Sequence, residues 1–126
     1  MNNEIRNTTE GEGLQKLATE LGGDVQKLFV FFSLFENALV DGVLASKTKQ
    51  LIALAMAVGF CNSASITYHV EAALQAEASR DEIREAVAVA VLFTGVRSIL
   101  SGAEAMAAVA RFEAQKLTSS GIPPDS

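Results

Sequence analysis

The chain has 126 residues, enough for one domain with its own core, and 49% of them are apolar. A formal net charge of −5, with no cluster of lysine or arginine, argues against a nucleic-acid surface. A single cysteine rules out an internal disulfide and fits a cytoplasmic protein, and no apolar run approaches the roughly 20 residues of a membrane span.

Both prolines, Pro123 and Pro124, lie in the last few residues, and alanine is abundant, so the composition favours helix throughout. Residues 1–12 are polar, lack the apolar core of a signal peptide and read as a flexible leader. Residues 13–117 read as a single all-α domain of about six helices, and residues 118–126 as a flexible tail. Leu14, Leu17 and Leu21 mark a short first helix that Gly22-Gly23 ends. Asp24 is placed to cap a second, over residues 25–39, where Leu28, Phe29, Phe32 and Phe35 form a broad apolar face with Phe31 on its flank. That helix is expected to be buried on more than one side. Asp41-Gly42 signals a turn, and Ser46 is placed to cap a third helix over residues 47–58.

Gly59-Phe60-Cys61 breaks that helix, and a fourth is expected over residues 62–78. Ser79 and Glu82 have the spacing of a capping box, which opens a fifth helix over residues 80–93. The AVAVAVLF segment within it alternates as a strand would, but the box and the charges before it favour helix. Thr94-Gly95 interrupts, and a last helix covers residues 96–117.

Residues 46–76 hold the only histidine, cysteine and tyrosine of the chain: His69, Cys61 and Tyr68. Asn62 and Ser65 precede His69 by seven and four residues, spacings that return side chains to one helical face. This polar stripe on an apolar background is the best candidate for a ligand site. Plainer roles stand beside it. A lone histidine on an apolar face is often a core residue, Tyr68 packs, Asn62 and Ser65 bond nearby backbone, and Cys61 behaves as a small buried hydrophobe. Arg97 and Glu104, seven apart, are expected to share a face as an ion pair or, less simply, as a ligand contact. Glu71, Glu77 and the acidic run from Asp81 to Glu85 read as a solvated face. One histidine without a matching set of carboxylates or thiols offers no metal site.

Three segments, KTKQLIALAMAV, YHVEAALQAEAS and DEIREAVAVAVLFTGV, together resemble the carboxymuconolactone decarboxylase and alkylhydroperoxidase D superfamily over about residues 25–112. The resemblance implies an all-α fold assembled as trimers or hexamers, with sites near subunit contacts. In the peroxidase branch a glutamate is followed twelve residues on by Cys-x-x-Cys, and then by a histidine. Counted back from His69, the cysteines fall at Asn62 and Ser65 and the glutamate at Gln50, so only the histidine is kept. Cys61 is one position early, about 100° around a helix from the expected thiol. Amide and hydroxyl groups supply neither the attacking thiolate nor the resolving thiol of peroxide reduction. The decarboxylase branch also lacks the pair and keeps the histidine, but often has proline where Arg97 stands.

The functional expectation is a cofactor-free enzyme, a decarboxylase-like lyase before a peroxidase, acting on a small organic acid or lactone. His69 is the general acid/base, with Ser65, Asn62, Gln50, Arg97 and Tyr68 lining the ligand and Cys61 a spare thiol. The alternatives are a catalytically silent ligand-binding or assembly member, and a peroxiredoxin-type antioxidant weakened by the missing cysteines. The expected partners are further copies of the chain and a small molecule, with neither nucleic acid nor membrane.

Overall fold

The computed structural model describes residues 16, 19–20 and 25–121, among which every regular element is helical. Lys16, Thr19 and Glu20 are helical; the rest of the expected first helix, the leader and residues 122–126 lie outside the described residues. The chain groups into two compact units, Met1–Val40 and Asp41–Ser126.

In the first unit α1 spans Val25–Leu39. Phe31 and Phe32 meet edge to face with centroids 5.7 Å apart. Phe31, Val30 and Leu34 are nevertheless exposed, whereas Phe32 and Phe35 are half-buried, so the expectation of burial on several sides does not hold for the helix's described side chains. The side chains of Leu28 and Phe29 are outside the described residues.

The second unit is a bundle of four helices: α2 (Ser46–Gly59), α3 (Ser63–Gln75), α4 (Arg80–Thr94) and α5 (Ile99–Ser119), with a short 3-10 turn, Val96–Ser98, before the last. α2 packs against α3 and α4, and α5 closes the bundle against α3 and α4. The core takes Leu54, Ala57 and Val58 from α2, Ile66, Val70 and Ala73 from α3, Ile83, Val87 and Ala90 from α4, and Ala105, Ala108 and Val109 from α5. Alanine at so many of these positions lets helix axes approach closely. Gly102 marks one such close approach, since a β-carbon there would lie 3.1 Å from Val87 Cγ1 and 3.2 Å from Val91 Cγ2.

Helix ends follow from local chemistry. Ser79 accepts from the Glu82 amide at 3.0 Å while Glu82 Oε1 accepts from the Ser79 amide at 2.9 Å, the full capping box. The other oxygen of Glu82 meets Lys47 Nζ at 3.0 Å, tying the start of α4 to the start of α2. The AVAVAVLF segment is helical accordingly. Ser46 is not the cap of α2 but its first residue; Ala45 is the N-cap, and Asp41 Oδ1 reaches back to accept from the Ser46 amide at 2.6 Å.

α2 and α3 both end through one device. The amides of Cys61 and Asn62 bond the carbonyls of Val58 and Ala57, and those of Glu77 and Ala78 bond Leu74 and Ala73. Each set is a Schellman closure, in which the residue just past the helix takes a left-handed backbone. Cys61 (φ 56°) and Glu77 (φ 68°) occupy that position, where glycine is usual.

Candidate functional site around His69

Two helical stripes bring the site together. On α2, Gln50, Leu54, Ala57 and Val58 are buried at spacings of four, seven and eight; on α3, Ile66, His69, Val70 and Ala73 are buried at three, four and seven. These are core-facing stripes. Where they meet, each stripe carries one polar residue in place of an apolar one. His69 Nδ1 lies 2.8 Å from Gln50 Oε1, and the two residues are only 6% and 7% exposed. Facing each other, each satisfies a group that would otherwise cost about 1–3 kcal/mol to bury.

The amide oxygen has only lone pairs to offer, so this contact is a hydrogen bond when the ring proton sits on Nδ1. Burial holds the His69 pKa below the ordinary imidazole value, because a desolvated imidazolium is disfavoured. Burial thus favours the neutral ring, with Gln50 against its Nδ1. Tyr68 stands edge-on to it, with ring centroids 5.0 Å apart and planes at 89°.

Gln50 and Tyr68 also line an open groove of approximately 680 Å³ along the start of α2 and the end of α3. Asp41, Lys47 and Glu77 edge it, and Ala72 and Ala76 are among its apolar contributors. Lys47 is already engaged by Glu82. The groove lining therefore holds more acidic than basic groups.

The remaining expected site residues are placed differently. Asn62 is the N-cap of α3, and its side chain accepts from the Ser65 amide at 3.2 Å. Ser65 is half-buried one turn before His69. Arg97 is exposed in the 3-10 turn. Among the described residues no Arg97–Glu104 ion pair forms; Glu104 Oε2 instead accepts from Ser63 Oγ at 3.1 Å. Cys61 is exposed rather than buried, because the left-handed turn carries it out of the core, and its thiol donates to the Arg97 carbonyl at 3.6 Å. Among the described residues no group of three or more His, Cys, Asp or Glu side chains is placed to hold a metal ion, and no helix is long and apolar enough to cross a membrane.

The sequence matches the Carboxymuconolactone decarboxylase family over residues 26–110, which takes in α1 to α4 and half of α5. The chain belongs to that family. Two solved structures share its fold. A carboxymuconolactone decarboxylase family protein from Legionella pneumophila is 34% identical, with 80% of this chain and 88% of that one aligned at a TM-score of 0.70. A second family protein, from Thermotoga maritima and described as a candidate for the antioxidative response, is 25% identical over 89% of this chain and 94% of its own, also at 0.70. No curated protein matches the chain.

Proposed function

We propose that this carboxymuconolactone decarboxylase family protein is an acid/base enzyme acting on a small organic molecule, with His69 as the group that exchanges the proton. The observation that carries the reading is the buried, neutral histidine held through Nδ1 by Gln50, next to a groove that Gln50 and Tyr68 also line. A general base that works near neutral pH needs a low enough pKa to be unprotonated and a fixed orientation, and this pair supports both. The acidic edge of the groove favours an uncharged substrate such as a lactone over the free acid. Assembly into homo-oligomers and a reducing, cytoplasmic setting for the exposed Cys61 thiol belong to the same reading.

The test is a substrate screen run in parallel on wild type and His69→Gln. Glutamine preserves bulk and a polar partner for Gln50, so folding and assembly are expected to persist while turnover falls at least about 100-fold, the usual size of an acid/base contribution. Unfolding of the variant would make His69 a structural residue. A ligand that raises the melting temperature of wild type without being turned over would favour the second reading, a silent ligand-binding member of the family.

A further inference from the structure

We propose that Gln50 is a positioning residue that locks the His69 ring in one neutral tautomer, with the proton on Nδ1 and the lone pair on Nε2. The proposal deepens the acid/base reading above, but it stands on the contact itself rather than on any turnover. The Nδ1 to Oε1 distance is 2.8 Å, and both residues belong to the buried stripes of their helices, so bulk water has little access to replace the bond. Free imidazole chooses between its tautomers by small differences; a buried hydrogen bond at one nitrogen decides the choice.

The chemistry of the partner adds a second consequence. A carboxylate at this position would stabilise the imidazolium by charge and draw the proton toward the pair. An amide is neutral at every ordinary pH and only orients. Asp41, Lys47 and Glu77 line the groove beside Gln50, and on α5 Glu104 accepts from Ser63. Lys47 is bound by Glu82 and Asp41 by the Ser46 amide.

His69 is the only histidine in the chain, so an untagged, ¹⁵N-labelled sample gives one imidazole pattern. Long-range proton–nitrogen spectra at neutral pH are expected to show Nδ1 protonated and Nε2 unprotonated, in a ratio of about tenfold or more. In Gln50→Leu the ratio should collapse or invert. In Gln50→Glu the Nδ1 proton should remain, and the titration of the ring should move upward. A wild-type ring with its proton on Nε2, or one averaging freely between forms, overturns the proposal. So does an unchanged titration in Gln50→Glu, the variant that keeps the shape of the site should Gln50→Leu fail to fold. Because no reading depends on turnover, a protein without detectable activity still decides this question separately from the proposed function.

Discussion

Cys61 holds a left-handed backbone (φ 56°) at the end of α2, where its β-carbon crowds the chain. Cys61→Gly should relieve that strain. The expected result is a stability gain of about 0.5–1 kcal/mol, less whatever the weak thiol bond to the Arg97 carbonyl contributes, measured by denaturant unfolding. A loss of stability would mean that the thiol contact outweighs the strain. The same geometry bears on redox chemistry. Asn62 and Ser65 stand where a reactive thiol pair is expected, and Cys61 is a turn residue, so dithiol-dependent consumption of an alkyl hydroperoxide should be negligible in wild type. It should appear in the triple variant Gln50→Glu, Asn62→Cys, Ser65→Cys, at a stability cost of about 1 kcal/mol from losing the Asn62 cap. Strong wild-type turnover abolished in Cys61→Ser would instead make Cys61 a nucleophile. In the sequence, Asn62, Ser65 and His69 form a stripe by spacing alone. Spacing is blind to the helix beginning at Ser63, which leaves Asn62 outside it as a cap. The partner that matters, Gln50, lies nineteen residues from His69 on another helix; only the family pattern pointed to it, because local periodicity carries no information about which helices face each other.

Among the helices, α4 has the most self-sufficient start. Ser79→Ala removes one half of the capping box and should cost about 1 kcal/mol. The backbone bond from Ser79, then the bond to Lys47, hold the Glu82 carboxyl below its ordinary pKa. A carboxyl depressed in the folded state stabilises above its unfolded pKa, and that contribution fades as acid carries the pH down through the folded value. Glu82→Gln should therefore be less stable than wild type near neutral pH and converge with it at low pH; a gap that persists in acid would show that packing, not charge, is responsible. This box was legible because its two residues are three apart. The start of α2 was not. Serine ahead of an apolar run reads as a cap, yet Asp41, five residues upstream, supplies the bond after the loop folds back. Arg97 and Glu104 failed as a pair for a related reason: Arg97 sits in the 3-10 turn before α5, outside the regular helical spacing on which the expectation rested.

At the scale of the molecule, the bundle leaves a long apolar surface uncovered. Leu92, Phe93, Val96 and Leu100 are each 80% or more exposed around the corner from α4 to α5, and Arg97 is the only charge in residues 86–103. Isolated soluble domains seldom leave such a surface to water. Light scattering at micromolar concentration is expected to give a mass of at least two chains, reduced in Phe93→Glu with helicity unchanged; a monomeric wild type would contradict it. The all-helical architecture and the element order were legible from periodicity and turn residues, whereas exposure depends on which stripes find partners and emerges only on assembly of the bundle. One feature of that bundle also limits how the chain can vary in length. Between α2 and α3 stand only Phe60, Cys61 and Asn62, one closing the first helix, one reversing the chain and one opening the next. No residue in this turn is spare. Adding or deleting one would break the closure that ends α2 or the cap that opens α3, and would shift His69 against Gln50 while leaving most of both helices intact. Among descendants of this sequence, insertions are therefore expected to collect elsewhere, and the three-residue joint to keep its length even where its residues change.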